Sequence, residues 1–309
     1  MPEDELKRLA RLEPNLKRRA LILDTIRAFF KDQDFLEVET PIRAPAIAPE
    51  PFILPFQSEQ WFLAASPELH MKRLLAAGYT KIFQFSHCFR KAERGRWHNP
   101  EFFMLEWYRA DVDYEKIIED TEKLVTAVAR KLGMKNTINY RGQSIDITTP
   151  WPRVTVRDAY LKSAGWDPVN DHDPERFDID FIEKVQPGFA PNRPTVLMNY
   201  PAPQASLARL KPDNPLVAER AEVFIGGLEL ANAYSELADA KEQVSRFHEA
   251  IEQIQKERGQ QMPLPDKFLK AMERLPQCGG LALGIDRLVM FFCDADTIDD
   301  VMAFTEDTA

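Results

Sequence analysis

The chain has 309 residues, of which 44% are apolar, and its formal net charge is −9. This length and this apolar fraction are sufficient for one large domain with a substantial core. Proteins whose main task is to grip nucleic acid usually carry the opposite charge, so the acidic balance argues against that class. The sequence has no apolar run of about 18 residues, which excludes a membrane-spanning helix.

The cysteines and the first residues indicate the compartment. Cys88, Cys278 and Cys293 form no CxxC pair, and their number is odd. Both features argue against a disulfide framework and against a structural zinc site. Residues 1–12 alternate acids and bases without an apolar segment, so no signal peptide is predicted. We therefore expect a cytoplasmic protein that has no membrane association.

The predicted elements alternate helices with short strands. In chain order, apolar periodicity and capping residues predict a helix over 15–30, a strand over 35–40, a helix over 66–77, strands over 81–90 and 102–109, a helix over 114–132, a strand-like segment over 221–235, helices over 244–256 and 268–275, a strand over 279–284 and a helix from 286. Antiparallel hairpins mixed with helices, without βαβ alternation, indicate an α+β fold. We expect a single domain over 1–309.

Two segments depart from simple periodicity. Residues 165–215 are rich in Pro, Asp and Asn, which favours an insertion or a mobile segment. Gly226-Gly227 interrupts the strand-like segment and predicts a bulge or a close backbone approach.

The strand over 81–90 has two different faces. Its aromatic residues occupy alternate positions, and its polar residues and Cys88 occupy the positions between them. This alternation predicts a face on the core and a face in contact with solvent.

Three segments carry the chemistry, and they occur in a fixed order. They are "FFKDQDFLEVETP" (29–41), "FQFSHCFRKAERGRWHNPEFFMLEWY" (83–108) and "GGLALGIDRLVMFF" (279–292). Each alone has an ordinary explanation, such as a surface arginine or a tightly packed strand. Together they resemble motifs 1, 2 and 3 of class II aminoacyl-tRNA synthetases, above all the catalytic domain of the lysyl enzymes. "HNPEF", "ELANAYSEL" and "GIDRL" are near-verbatim signatures of that family.

The resemblance implies an ATP-dependent ligase that activates an amino acid through its carboxylate. Arg90 and Arg287 would be the catalytic residues, with Arg90 on the α-phosphate and the substrate carboxylate and Arg287 on the γ-phosphate. His98 would assist with the outer phosphates. Phe102 would stack on adenine, with Arg287 on the other face of the base, and Gly284 would let the backbone approach the nucleotide. Such chemistry needs positioning and charge neutralisation, not a general base.

The resemblance also implies a metal site and an amino-acid site. Glu222 and Glu229 would hold Mg²⁺ on the ATP phosphates, a use that suits the preference of this ion for carboxylate and phosphate oxygens. The substrate-binding side chains implied by the resemblance are Ser66, Glu68, Asn232, Tyr234, Glu236 and Ala282. Within this set, Glu236 would pair with the distal ammonium of the substrate. A buried carboxylate needs such a cation, so a diamino acid is expected.

Three departures separate the chain from complete lysyl-tRNA synthetases. Only about a dozen residues precede the helix that leads into the first motif, predicted over 15–30, which leaves no room for an anticodon-binding OB-fold. Ala282 replaces a glycine and narrows the amino-acid pocket by about one carbon. Both features resemble the elongation factor P lysine ligase family, truncated paralogues that attach (R)-β-lysine to a lysine of elongation factor P. Ala92 stands where motif 2 usually has glutamate, and whether Glu93 replaces that group is left open.

The resemblance leaves several functions in competition. The leading hypothesis is activation of (R)-β-lysine or lysine and its transfer to elongation factor P by a homodimer that does not bind tRNA. A second is a freestanding ligase that acts on another acceptor. A third is a lysyl-tRNA synthetase-like regulator without catalysis, against which the retention of both arginines and both glutamates argues. A true tRNA synthetase is the least favoured.

Overall fold

The computed structural model describes residues 3–309. In chain order the helices are α1 (Glu3–Lys31), α2 (Glu68–Ala76), α3 (Tyr114–Lys131), α4 (Val156–Ser163), α5 (Pro174–Asp180), α6 (Ala240–Arg258), α7 (Asp266–Ala271) and α8 (Ile285–Cys293). The strands are β1 (Leu36–Glu37), β2 (Arg43–Ala44), β3 (Gln57–Ser58), β4 (Trp61–Leu63), β5 (Lys81–Phe89), β6 (Glu101–Ala110), β7 (Thr137–Tyr140), β8 (Gln143–Asp146), β9 (Arg153–Thr155), β10 (Thr195–Pro201), β11 (Leu210–Lys211), β12 (Asn214–Ile225), β13 (Leu228–Ser235) and β14 (Cys278–Gly284). Helices and largely antiparallel strands confirm the predicted α+β class.

The chain forms two compact units. The first consists of Met1–Asp111, Ala238–Gln277 and Ala282–Ala309, and the second consists of Val112–Leu237 and Cys278–Leu281. The strand β14 therefore begins in the second unit and ends in the first.

The first unit is built around α1 and the hairpin of β5 and β6. Its main strand order is β1-β5-β6-β14, and β2, β4 and β3 form a small separate sheet. The apolar side of α1 packs on the hairpin, where the Phe30 ring lies 4.8 Å from that of Phe83 and 5.3 Å from that of Trp107. Strands β5 and β6 pair in continuous register from Lys81↔Arg109 to Phe89↔Glu101.

Helix α1 begins at Glu3, twelve residues before the predicted start, and includes Pro14. The side chains of Arg8, Asn15 and Arg18 donate to the carbonyl oxygens of Ala303, Asp300 and Phe292, at 3.0, 2.9 and 3.1 Å. These long-range bonds to the C-terminal segment supply stabilisation that helical periodicity does not reveal.

The prediction of a solvent-exposed face on β5 is wrong. Gln84, Ser86 and Cys88 are all at most 5% exposed, whereas Phe85 and Phe89 are only half-buried. Hydrogen bonds allow polar groups to be buried, and the Gln84 amide donates to the Thr40 hydroxyl at 3.0 Å. The polar face of β5 is therefore an interior face.

The second unit has the strand order β14-β13-β12-β10-β9, with β11 beside β12 and a separate hairpin of β7 and β8. Its apolar core includes Tyr160, Trp166, Phe177, Leu197 and Phe224. Residues 165–215 contain α5, β10, β11 and the first residues of β12. Helix α3 agrees with the prediction and begins with a cap, since the Asp113 carboxylate accepts from the Lys116 N–H at 3.1 Å.

Gly226 and Gly227 connect β12 to β13. Their φ angles are 59° and 83°, and such a pair of positive angles makes the two-residue turn that suits a hairpin. A Cβ atom on Gly226 would lie 2.6 Å from the Tyr140 ring, so the predicted close approach is confirmed. The alternative of a bulge within a single strand is wrong at these glycines. As a consequence, Glu222 and Glu229 lie on neighbouring antiparallel strands.

Candidate functional site

In the first unit, the end of β5 positions Arg90. Its backbone N–H donates to the Pro100 carbonyl at 2.8 Å, which keeps the hairpin closed beyond the last strand residue. Its guanidinium lies 5.1 Å from the centroid of the Phe102 ring and donates to the Glu93 carboxylate at 3.1 Å. Glu93 therefore does contact the motif 2 arginine, beside the alanine at position 92.

The Arg287 side chain lies beside His98. The two are joined by a contact of 2.6 Å between Nη2 of Arg287 and Nε2 of His98. Burial and the guanidinium charge lower the pKa of His98, so the imidazole is held in its neutral form. The structure thus brings together the two side chains for which the resemblance implies contact with the outer phosphates. The neutral His98 ring can bind a phosphate beside Arg287 because it carries no positive charge that would repel the guanidinium.

One buried carboxylate connects the second and third motif segments with the helix that leads into the first. Asp286, at the start of α8, is 3% exposed. It accepts from the Arg19 guanidinium of α1 at 2.6 Å and from the Phe103 backbone N–H of β6 at 2.8 Å. The immediate neighbours of these groups are Phe102 and Arg287, so Asp286 fixes the spacing between them.

The motif 2 loop also contacts the C-terminal segment. Arg94 forms ion pairs with Glu306 at 2.7 Å and with Asp307 at 3.2 Å. Arg96 forms one with Asp296 at 2.8 Å. These pairs are largely exposed, so each contributes little to stability, but together they restrict the loop that carries His98.

A second cluster in the first unit surrounds Ser66 and Glu68. The Ser66 hydroxyl accepts from the Glu68 N–H at 3.0 Å and donates to the Glu106 carboxyl at 2.7 Å. Tyr108 donates to the other oxygen of Glu106 at 2.8 Å, and Lys72 is ion-paired with Glu68. A pocket opens beside Ser66 and Glu68. The cluster therefore supplies carboxyl groups for an amino group.

The carboxyl group of Glu106 has an altered proton affinity. Burial, together with the Glu68 carboxylate, raises its pKa to about 8. At pH 7 the Glu106 carboxyl, beside the ion pair of Glu68 and Lys72, is therefore largely protonated.

In the second unit, the register of β12 and β13 forms a polar face. Arg220 lies opposite Tyr234, and Glu222 lies opposite Asn232. Residues directly opposite each other point to the same face of a sheet, as do alternate residues on one strand. These four side chains therefore share one face.

A register shift brings Glu229 to the same face. The pairing shifts between Val223 and Phe224, so that Phe224 lies opposite Glu229. Because Phe224 alternates with Glu222, its partner Glu229 joins the face that carries the other carboxylate. Burial raises the pKa of the Tyr200 phenol, and both carboxylates add to the rise, which is consistent with two acids close to this side chain.

The carboxylate of Glu222 is bound by a neighbouring arginine. Arg220 donates to Glu222 at 2.6 Å and to the Gln204 carbonyl at 2.6 Å. Its guanidinium lies 4.4 Å from the ring centroid of Tyr200 and 5.9 Å from that of Tyr234. Sequence motifs did not single out Arg220, because three of its neighbours, Tyr200, Gln204 and Tyr234, are distant in sequence and reach it only through the folded sheet.

Asn232 lies within β13, whereas Glu236 lies just beyond the end of that strand. The Asn232 side-chain oxygen is buried without a hydrogen-bond partner among residues 3–309, so it retains the capacity to bind a ligand. Glu236 is 1% exposed and follows the last residue of β13. Its backbone N–H donates to the Cys278 carbonyl at 2.8 Å, which fixes its position beyond the strand end.

The two glutamates fit only one kind of metal site. Within the described part of the chain, no group of three or more acidic, histidine or cysteine side chains is placed to hold a metal. Mg²⁺ commonly uses one or two carboxylates and takes its other ligands from phosphate and water. Glu222 and Glu229 therefore suit an ion that arrives with a nucleotide, with Arg220 as a competing partner of Glu222.

The sequence prediction missed four side chains that line these clusters: Lys72, Glu106, Tyr108 and Arg220. Glu106 and Tyr108 lie within the quoted motif 2 segment, so their position on the interior face of β6 was the only missing information. Ala282 and Gly284 lie on β14, and Gly284 immediately precedes α8.

Over residues 3–309, none of the helices combines the length and apolar character needed to cross a bilayer.

Residues 5–308 match the family described as tRNA synthetases class II (D, K and N). The chain is 39% identical over 315 aligned positions to the elongation factor P–(R)-β-lysine ligase of Klebsiella pneumoniae strain 342, and the alignment covers 96% of both chains. The protein of the same name from Salmonella arizonae is 38% identical, again over 96% of both chains. The chain therefore belongs to the class II tRNA synthetase family, and within it to the group that contains the elongation factor P–(R)-β-lysine ligases.

Proposed function

We propose that this protein activates (R)-β-lysine, or lysine, with ATP and transfers it to a lysine side chain of elongation factor P. The observation that carries the proposal is the identity of 39% over 96% of both chains with a ligase of that name. The geometry of the motif residues supports it, because each charged group in ATP and in a diamino acid has a chemically matched side chain.

The first step joins the substrate carboxylate to the α-phosphorus of ATP. The carboxylate oxygen attacks, the bond to the bridging oxygen breaks, and pyrophosphate leaves with the electron pair. Arg90 binds the α-phosphate and the attacking carboxylate, while Arg287 and His98 bind the γ-phosphate end. Arginines suit these roles because their planar fork is always charged. Phe102 stacks on adenine, and Gly284 allows close approach of the backbone.

Glu222 and Glu229 are the residues that would hold Mg²⁺. When bound, this ion neutralises phosphate charge and so favours the departure of pyrophosphate. Mg²⁺ is commonly bound by one or two carboxylates together with substrate phosphates, and these two carboxylates lie on one face of neighbouring strands.

The amino-acid substrate is recognised through its two amino groups. Glu68 and Ser66 bind the amino group nearer the carboxylate, and Glu106 and Tyr108 extend that cluster. Glu236 binds the distal ammonium, Tyr234 contacts the aliphatic stem and Asn232 contacts the carboxylate end. The methyl group of Ala282 narrows the pocket, which favours a repositioned amino group such as that of (R)-β-lysine.

The second step transfers the aminoacyl group to a protein amine. The lysine nitrogen of the acceptor attacks the adenylate carbonyl, an amide bond forms, and AMP leaves with the electron pair. The net charge of −9 supports a protein acceptor over tRNA. The family match over 5–308 covers segments of both units, which supports one catalytic domain. A cytoplasmic homodimer completes the proposal.

Two linked assays test this function. ATP–pyrophosphate exchange is measured with α-lysine, both enantiomers of β-lysine and ornithine, and the best substrate is then offered to purified elongation factor P. We expect exchange with (R)-β-lysine and a mass gain of one lysyl residue on elongation factor P. A factor whose acceptor lysine is replaced by arginine is the matched control and should gain no mass.

The other outcomes discriminate the alternatives. Exchange without transfer to elongation factor P would indicate a freestanding ligase with another acceptor. Absence of exchange with every amino acid would indicate a regulator. Aminoacylation of tRNA in a parallel assay would indicate a true synthetase.

A further inference from the structure

The proposed function gives no role to Arg220, a cation embedded in the polar face of the second unit. Its side chain is 15% exposed and its charge is paired with Glu222. Two different nitrogens make its hydrogen bonds, one to the Gln204 carbonyl at 2.6 Å and one to Glu222 at 2.6 Å. Two bonds in different directions fix the plane of the guanidinium, which a single bond would leave free to rotate.

The guanidinium also lies over two aromatic rings. The guanidinium carbon is 4.4 Å from the centre of the Tyr200 ring and 5.9 Å from that of Tyr234. Tyr234 is the direct cross-strand partner of Arg220, so the two side chains leave neighbouring strands at the same level. The attraction between the cation and the ring faces restricts the orientation of Tyr234.

The charge of Arg220 also makes the carboxylates near this face unequal as partners for an ammonium group. An ammonium group that approached Glu222 would meet the guanidinium already bound there and would be repelled. Glu236 lies two residues beyond Tyr234 along the chain, away from the Glu222 end of the strand. Repulsion therefore favours Glu236 as the partner of a substrate ammonium.

We propose that Arg220 is a positioning residue that orients the Tyr234 ring and directs the distal ammonium of the substrate to Glu236. The inference rests on the proposed function, since it concerns recognition of the diamino acid. It adds a specificity determinant that touches no substrate atom itself.

Arg220→Lys tests the proposal because lysine keeps the charge and removes the planar fork. In ATP–pyrophosphate exchange we expect the KM for the preferred diamino acid to rise about tenfold, while the KM for ATP stays within about twofold of the wild-type value. Arg220→Met removes the charge as well, and we expect it also to reduce discrimination between lysine and its uncharged analogue norleucine.

Arg209→Lys is the matched control. Arg209 forms a comparable pair with Glu219, at 2.8 Å, in the same unit. Glu219 precedes Arg220 on β12 and so points to the opposite face. We expect Arg209→Lys to leave both KM values unchanged, even if its melting temperature falls as far as that of Arg220→Lys.

Specific outcomes would overturn the role of Arg220. They are an unchanged amino-acid KM in Arg220→Lys, an equal rise in Arg209→Lys, or a parallel rise in the KM for ATP. If Arg220→Lys shows no cooperative melting, Tyr200→Leu removes only the nearer ring and should raise the amino-acid KM about threefold; no rise would reject the proposal. Absence of exchange in the wild type would instead refute the proposed function, so the two failures are distinguishable.

Discussion

Single side chains decide the charge balance around the expected phosphate positions. Arg287 and His98 are in direct contact, and the histidine is neutral because burial and the guanidinium lower its pKa. Only one of the two groups therefore carries the positive charge that an outer phosphate needs.

Arg287→Ala should reduce amino-acid-dependent ATP–pyrophosphate exchange by about two to three orders of magnitude, because the phosphate loses its fixed cation. The exchange rate at saturating ATP measures the effect. Arg130→Ala, which changes an exposed arginine of α3, is the control and should exchange normally. Near-normal exchange in Arg287→Ala would contradict the assigned role.

The carboxyl group of Glu106 predicts a pH-dependent stability. Its pKa is raised from 4.5 to about 8 by burial and by Glu68. Between these values the folded protein holds a proton that the unfolded chain has lost, so the contribution of this group to stability falls as the pH rises.

In Glu106→Gln this titration is absent. The melting temperature of the variant minus that of the wild type should therefore increase between pH 5 and pH 8 and level off above about pH 8. Glu252→Gln, an exposed change on α6, should give a constant difference over the same range. A constant difference for Glu106→Gln would show that the group titrates normally.

At the scale of elements, β14 approaches α3 within the second unit through a glycine. A Cβ atom on Gly279 would lie 2.7 Å from an Ile117 side-chain carbon and 2.8 Å from the Asp113 carbonyl oxygen. The latter belongs to the backbone and cannot rotate away. At the other end of the same strand, a Cβ atom on Gly284 would lie 3.7 Å from the nearest atom, in the flexible Arg287 side chain.

Gly279→Ala should consequently lower the free energy of unfolding by about 1–3 kcal/mol through overpacking. Gly284→Ala should change it by less than about 1 kcal/mol, since its φ of −71° suits alanine. Urea denaturation of both variants measures the difference. An equal loss of unfolding free energy in the two variants would mean that the close contact at Gly279 does not limit the size of its side chain.

The arrangement of elements also explains which site residues could be predicted from the sequence. Arg90, His98 and Arg287 could be predicted because their motifs are local runs of chain with near-verbatim signatures. Arg220 could not, because its contact with Tyr234 depends on the register of β12 and β13. That register follows from the turn at Gly226-Gly227 and from a shift at Phe224, neither of which residue periodicity encodes. The interior face of β5 escaped prediction for a similar reason, since burial of Gln84 depends on a partner 44 residues away.

At the scale of the whole molecule, helix α1 and the motif 1 segment that follows it leave large apolar side chains at the surface. Leu6, Leu36 and Ile42 are between 46% and 51% exposed. Exposed apolar surface marks an association surface where it is contiguous. These side chains are therefore the first positions at which to test the homodimer that the resemblance implies.

Light scattering should accordingly give a mass of twice 35.6 kDa for the wild type. Leu36→Asp places a charge on the edge strand β1 and should shift the mass towards 35.6 kDa at low micromolar concentration. Ile182→Asp alters a side chain that is 67% exposed in the second unit and should leave the dimer intact. A monomeric wild type would reject the dimer.

The contact between Asp286 and Arg19 limits which parts of this chain can be exchanged with those of a relative. The Asp286 carboxylate binds a side chain from the first helix and a backbone N–H from motif 2, although position 19 and position 286 are 267 residues apart. A chimaera that takes its N-terminal helix from one relative and its last helix from another would separate Arg19 from its acceptor unless both parents carry the same pair. A lone partner left buried costs about 3–5 kcal/mol, so crossovers that keep positions 19 and 286 from one parent should dominate among functional recombinants.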